Sequence, residues 1–528
     1  MENLTGVPRL PAATLYTSAN NVKGAVPSPN VNLLGIVDTF AACEQLCFSA
    51  AASLPCFSFT WHSPAFTKPQ YQRHCYGRRD TVWAPVAESM IDSGCRTDIG
   101  VASRCAVGPP PGPSPPPPSF HCASDFDCAG ANGDCNATTG ACVCHAGWSG
   151  ASCSKVKFAP SSGRVAYADS LWTWGGSPIR DDAEPPLYHL FSSELSNQCG
   201  ILHYTVNSRV IHLTSPNATG PYVRREIALA PRAGMWDNGA VHGVSVHRLP
   251  NKTYAIFYMG ATQPGMNDSN RPNCTAGSGD AKANRTTGSH NGRRIGVALS
   301  ESLEVGAAWR RLDAPLFGPQ AGSWDDIDVS NPSPIITQNG SVIMMYKGNG
   351  NTHIGQHMGL AFAPSIDGPY TRNNSGKTAA ALPGEDPWGW IDPKSGVYRA
   401  LLHCDNGATK AGCHRYSADG VHWFGDENNA KRGDSYTGHM AWAPDADAAH
   451  RGKSTVLARR ERPQILLRYE AGEDHGSSYG TPEYLFAASQ DCVHHVDAGT
   501  GMPCTGAGEG GMTGLTYTSL AAIDLSEG

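Results

Sequence analysis

Three short segments concentrate carboxylates, two of them just ahead of a proline: Glu385-Asp-Pro387, Glu461-Arg-Pro463 and Trp324-Asp-Asp-Ile-Asp-Val329. Paired carboxylates suit one chemistry in particular. One, held protonated, gives its proton to a leaving oxygen while the other assists attack on the carbon behind it. The surroundings must push the two pKa values apart for this to work. The same residues also have a structural use, with Glu461 and Arg462 as a buried ion pair and Asp-Pro as a strand start. Chemistry requires elements that bring acids from distant positions to one point.

Those elements are legible as a repeat. From about Val165 onward, an apolar aromatic strand is followed by a second strand ending in a Ser- or Gly-rich turn. Tyr188-His-Leu-Phe-Ser-Ser precedes Arg209-Val-Ile-His-Leu-Thr-Ser, and Tyr254-Ala-Ile-Phe-Tyr-Met-Gly precedes Arg294-Ile-Gly-Val-Ala-Leu-Ser. Val342-Ile-Met-Met-Tyr-Lys-Gly precedes His357-Met-Gly-Leu-Ala-Phe-Ala, and Tyr398-Arg-Ala-Leu-Leu-His precedes Cys413-His-Arg-Tyr-Ser. A looser fifth copy runs Gln464-Ile-Leu-Leu-Arg-Tyr, then Tyr484-Leu-Phe-Ala-Ala-Ser. One such unit cannot bury both faces of its sheet, whereas radial stacking can, so the repeat predicts a mainly β, five-bladed β-propeller over 160–528. A β-sandwich is the alternative, but its strands come at shorter and more even spacing.

In blade pattern and short motifs this region resembles the five-bladed glycoside hydrolases, both the arabinanase and β-xylosidase clan and the invertase and levansucrase clan. The resemblance implies acids on successive inner strands converging on an axial pocket. It implies a tuning role for Asp386 and a general acid at Glu461, with Glu385 as a competing acid. The base departs from the pattern: blade 1 reads Gly175-Gly-Ser177 where the family has Asp-Pro-Ser, and blade 3 reads Asn331-Pro-Ser333. Asp325, Asp326 and Asp328 lie just upstream, and Asp328 is the first choice for that role. Substrate contacts are expected from Arg462, His403, His242 and Asn331, with Trp324 and Trp388 offering stacking faces for sugar. No cofactor is required. A calcium ion sits on the axis of some arabinanase-like propellers, and no acidic metal loop here demands one. The implied partners are polysaccharide or glycoprotein glycans, and the alternative reading is a matrix or adhesion protein that binds glycans without cleaving them.

The 18 cysteines fall as three groups of six, which implies disulfides and an oxidising compartment. Nine glycosylation sequons, from Asn3 to Asn373, agree with secretion. The start, Met1-Glu-Asn-Leu-Thr-Gly6, has no signal-peptide character, so the export signal is expected to lie outside this chain. Within 1–105, Cys43 and Cys47 one helical turn apart, Cys56, Cys75 and Cys95 resemble a PAN/apple module. That family implies Cys47–Cys56 and Cys43–Cys75 pairs, leaving Cys95 and Cys105. A linker over 106–120 follows, in which eight of the ten residues Pro109–Pro118 are proline, predicting a stiff polyproline II spacer of roughly 30 Å. In 121–155 the run Cys122-x5-Cys128-x6-Cys135-x6-Cys142-x-Cys144-x8-Cys153 resembles an EGF-like module. That family implies the pairs Cys122–Cys135, Cys128–Cys142 and Cys144–Cys153, and the two small modules imply protein partners. In the propeller, Cys404–Cys413 would staple neighbouring strands, Cys492–Cys504 close a loop and Cys199–Cys274 join two insertions.

Composition removes other classes. A net charge of −6 without a basic stripe excludes a phosphate-backbone binder, so nucleic acid is not an expected partner. No apolar run approaches the roughly 18 residues that cross a bilayer. With 59 glycines and 39 prolines, short strands and turns are favoured over long helices.

Overall fold

In this computed structural model the described residues are 121–526, apart from 161–162, 166–170, 200, 274–291, 351–352, 374–381, 405–411, 426–434, 445–451, 458, 470–477 and 491–515, together with the backbone of seven strands in the first 120 residues. No helix among them is long and apolar enough to cross a membrane. The chain divides into two compact units, Met1–Pro118 and Ser119–Gly528.

In the first unit Ser18–Ala19, Ile91–Cys95, Ser58–His62, His74–Arg78 and Val31–Ile36 make an antiparallel five-stranded sheet in that order. Val22–Lys23 pairs separately with Val86–Ala87. The expected turn of helix at Cys43–Cys47, the cysteine pairings of this unit and the proline run lie outside the described residues.

The second unit is built on five antiparallel sheets. Blade 1 comprises Thr173–Arg180, Tyr188–Leu195, Ser208–Ser215 and Val223–Leu229, and blade 2 comprises Ala240–Arg248, Tyr254–Ala261, Arg293–Ser300 and Arg310–Arg311. Blade 3 comprises Asp328–Ile336, Val342–Gly350, His353–Ala363 and Thr371–Arg372. Blade 4 comprises Glu385–Ile391, Tyr398–His403 and Gly412–Ser417, with Phe424 bridging to Tyr416 at its outer edge. Blade 5 comprises Arg459–Arg468, Thr481–Gln490 and Thr516–Ala522, and its outermost strand is Gly163–Val165 from the other end of the unit. That early strand closes the ring, so no blade is left with an open radial face.

Five apolar clusters fill the five blade interfaces. Val246 and Phe191 pack between blades 1 and 2, Phe257 and Met344 between 2 and 3, and Met345 and Leu402 between 3 and 4. Trp390 and Leu485 pack between blades 4 and 5, and Phe486 with Ile211 completes the cycle between 5 and 1. This cycle of five interfaces makes the fold a five-bladed propeller. Each blade contributes its first strand to the centre, where both faces are covered, and these strands are buried almost throughout.

A repeated cassette anchors blades 2 and 3. Trp236-Asp237 and Trp324-Asp325 precede the two inner strands, and each indole lies over glycines (Gly260 and Gly296, Gly348 and Gly359) where a Cβ would collide with it. Tyr258 donates to Asp237 and Tyr346 to Asp325, both at 3.0 Å, and Arg311 and Arg372 pair with the same carboxylates. Trp324, expected to offer a sugar-stacking face, is therefore a fully buried core residue, and Asp325 is its structural partner.

The segment 121–156 belongs to the propeller's compact unit. Its cysteines pair as Cys122–Cys135, Cys128–Cys142 and Cys144–Cys153. It rests on blade 4, with Trp148 against His414 at 4.8 Å between ring centroids and Phe126 edge-on to Tyr416 at 5.2 Å. Buried Arg399 donates to the carbonyls of Ala129 and Ala131 at 3.2 and 3.3 Å and lies over the Trp148 ring. Cys404 and Cys413 are bonded in blade 4, and Cys199 is disulfide-bonded, while Cys274, Cys492 and Cys504 lie outside the described residues.

Candidate active site

Every inner strand breaks its ladder at the same place. The register shifts between Trp174 and Gly176, His242 and Ser245, Ser330 and Ser333, Glu385 and Trp388, and Glu461 and Gln464. Inside each bulge one residue takes a left-handed conformation: Gly175 (φ 70°), Gly243 (67°), Asn331 (52°), Asp386 (55°) and Arg462 (53°). A bulge with a left-handed residue re-aims its side chain, and outside glycine such backbone costs about 1–3 kcal/mol per residue. Three strained non-glycine residues at equivalent positions mark the axis as the place where the fold accepts that cost.

Those three side chains meet. Asn331 donates through Nδ2 to Asp386 Oδ1, and Arg462 Nη1 donates to Asn331 Oδ1 at 2.7 Å. The same Nη1 stands 3.6 Å from Asp386 Oδ1. Arg462 then runs across the two glycines. A Cβ on Gly175 would stand 3.4 Å from its Cδ and Nε, and one on Gly243 only 3.0 Å from Nη1. Where the resemblance implies a blade 1 carboxylate, this chain has a glycine with a guanidinium lying over it.

Three further groups complete the cluster. Ligating atoms of Glu385, Asp386, His403 and Glu461 all lie within 4.8 Å of one another. Glu385 accepts from Lys347 Nζ and from His403 Nδ1, the latter at 3.0 Å. Arg459 Nη1 holds Glu461 Oε1 at 3.1 Å. Among the described residues, nothing hydrogen-bonds to Asp386 Oδ2, Glu461 Oε2, His242 Nε2 or the Nε and Nη2 of Arg462, and none of these atoms is sealed from solvent. These free atoms define the working surface of the site.

The electrostatics separate the carboxyls. Burial, then the neighbouring Glu385 charge, pushes Asp386 up to about 6, against the pull of Arg462 and Lys347. Burial acts to raise Glu385 too, but Lys347 and the hydrogen bond from His403 outweigh it and hold its carboxyl below the ordinary range. Burial opposes charge on His403, yet Glu461, Glu385 and Asp386 together raise it. His242, accepting or donating at 2.8 Å to Ser208, is kept neutral by burial and by Arg462 and Arg293.

Two other candidates stand elsewhere. Asp328 is wholly buried, paired with Arg293 and hydrogen-bonded by Asn349 at 3.2 Å, so it is outside the four-residue cluster. It was chosen because Asn331 lacks a carboxylate; the structure uses it instead as the counterion of Arg293. Trp388 is buried and stacks on His247 at 5.2 Å between centroids, joining blades 4 and 2. Asn331, Arg462, His403 and His242 are at the site, together with Lys347, Arg459 and Gly243, which sequence reading passed over. The signal was present as X-Pro in three inner strands (Asn331-Pro332, Asp386-Pro387, Arg462-Pro463) aligned with Gly175-Gly176 and Gly243-Val244.

The cluster does not make a calcium site. Calcium takes 6–8 oxygen ligands, whereas Lys347 and Arg462 already stand against Glu385 and Asp386 and would repel a divalent cation.

No protein-family model matches the sequence, and no curated protein does. Solved structures do. A family 117 glycoside hydrolase from the marine bacterium Zobellia galactanivorans is 14% identical, covering 71% of this chain and 91% of its own, with a TM-score of 0.44. An α-L-arabinofuranosidase from Podospora anserina, in complex with cellotriose, is 9% identical over 69% and 96%, also at 0.44. A thermostable family-43 glycoside hydrolase is 11% identical over 70% and 92%, at 0.38. These neighbours are glycoside hydrolases. The fold assignment rests on the blades themselves.

Proposed function

We propose that the propeller is a carbohydrate-active domain that hydrolyses glycosidic bonds at its axis, in a secreted protein whose EGF-like and PAN/apple-like modules tether it to an extracellular matrix or wall. The observation that carries this reading is the convergence of Asp386 and Glu461 from neighbouring inner strands, each with one unpartnered oxygen, while Asp386 is pushed up to about 6. Protonated Asp386 gives its proton to the glycosidic oxygen as the C–O bond breaks. Glu461 Oε2 attacks the anomeric carbon, with Arg459 fixing its other oxygen. Water then opens the glycosyl ester, losing a proton to Asp386 and restoring both groups. One oxygen of each carboxyl lies within 4.8 Å of the other, nearer to the roughly 5–5.5 Å spacing of retaining enzymes than to the roughly 6.5–9.5 Å that admits a water, which favours retention of the anomer. The roles differ from those the resemblance implies: Asp386, as the carboxyl with the raised pKa, becomes the acid.

The second reading, glycan binding without cleavage, is favoured by Gly175 and by the guanidinium that lies over it. Reducing-end release from arabinan, xylan, galactan and pectin panels separates the two. Hydrolysis predicts turnover by the full chain, abolished in Glu461→Gln and Asp386→Asn while binding survives. Binding without turnover supports the second reading, and neither binding nor turnover rejects the axis as a sugar site.

A further inference from the structure

The free edge of Arg462 has a consequence for the kind of sugar. Its side chain is only 5% exposed, yet Nη1 alone is engaged, leaving Nε and Nη2 without a protein acceptor among the described residues. The Nε–Nη2 fork of this nearly buried guanidinium has no protein acceptor but is not sealed from solvent, so a ligand carboxylate can take the place of water there. The two donors are parallel and spaced to meet both oxygens of one carboxylate.

The surroundings are segregated by charge. The side of the pocket facing blades 1 and 2 offers no carboxylate on its inner strands at the bulge, only Gly175, Gly243 and neutral His242. Arg462 and Arg293 both act on His242, so this side is positive, although Arg293 is itself matched by Asp328. The acids Asp386 and Glu461 lie on the blades 4 and 5 side, and Glu385 behind them is matched by Lys347. A neutral sugar would leave the fork of Arg462 unmatched.

Resting on the carbohydrate reading above, the geometry points to an acidic sugar as the ligand of this pocket: a uronate whose carboxylate sits on the Nε–Nη2 edge of Arg462, with its glycosidic oxygen toward Asp386. A hexuronate carries its carboxylate and its anomeric carbon on either side of the ring oxygen, so one ring presents both groups to opposite sides of the pocket.

The test compares acid and ester in the full chain. Calorimetric titration uses trisaccharides of galacturonate, glucuronate, mannuronate and guluronate, each beside its methyl ester. One uronate should bind about 10- to 100-fold tighter than its ester, the range of a charge-assisted bidentate contact. In Arg462→Gln that ratio should fall to within about threefold. Because the acid–ester ratio is read first in the unaltered protein, a variant that fails to fold leaves the test intact. Equal affinity for acid and ester overturns the uronate assignment and leaves the sugar site standing. Binding of neither, and of no neutral oligosaccharide, overturns both.

Discussion

Arg462 and Asp386 occupy the same left-handed position on neighbouring inner strands and meet at 3.6 Å over the propeller axis. The pair is incomplete as an ion pair, because Asp386 is pushed up to about 6 and keeps Oδ2 open. The fold thus holds a carboxyl close to its protonated form beside a guanidinium with donors to spare. That combination suits proton donation to a ligand better than it suits structural cement.

The first prediction concerns Asp386 and pH. Its folded pKa, about 6, lies above the unfolded value of 3.8. Its contribution is therefore fully present below about pH 4 and is lost as the pH rises through 6. At pH 7.5 the ionised form costs about 3 kcal/mol relative to the neutral one. Asp386→Asn should accordingly raise the unfolding midpoint at pH 7.5, and the gain should vanish at pH 4. Urea melts at both values check this, and an effect of Asp386→Asn that is the same at both would contradict a carboxyl whose pKa is raised in the folded state.

A second prediction separates Lys347 from Glu385. Their ion pair is buried, and removing one partner alone strands the other charge, at a cost of about 3–5 kcal/mol. Lys347→Met should destabilise by that amount, and Lys347→Met with Glu385→Gln by clearly less. The double-mutant cycle in denaturant reads the coupling, and additive losses would mean the pair is not coupled.

The third prediction concerns the small disulfide-bonded segment. Arg399 reaches from blade 4 to the Ala129 and Ala131 carbonyls, and burial lowers it to about 10 with Asp392 opposing. Arg399→Met should cost about 2–3 kcal/mol through the two lost hydrogen bonds. It should also raise amide exchange in residues 121–156 while blades 1 to 3 keep their protection. Unchanged exchange there would show that Trp148 and Phe126 hold the segment unaided.

Much of the propeller was legible because the second and third strands of blades 1 to 4 announce themselves as apolar runs, and the Glu385-Asp-Pro387 and Glu461-Arg-Pro463 segments fall at the axis. Asp328 and Trp324 were not legible. The pairing of Asp328 with Arg293 is made across blades, and sequence spacing carries no sign of it. The seat of Trp324 is made by glycines on two later strands, Gly348 and Gly359. Comparison with Trp236 over Gly260 and Gly296 would have exposed it, since both blades repeat Tyr-x-Gly after Trp-Asp. Arg462 was read as a substrate contact or as the ion-pair partner of Glu461; its path over Gly175 and Gly243 depends on ring closure, which joins blade 5 to blade 1.

The most direct measurement is a crystal structure of the full chain, carrying Glu461→Gln, with a bound oligosaccharide from the panel. One sugar ring should lie on the axis, its glycosidic oxygen within hydrogen-bond distance of Asp386 Oδ2 and a polar substituent on the open edge of Arg462. A sugar bound elsewhere on the molecule, with the axial channel unchanged, would contradict it.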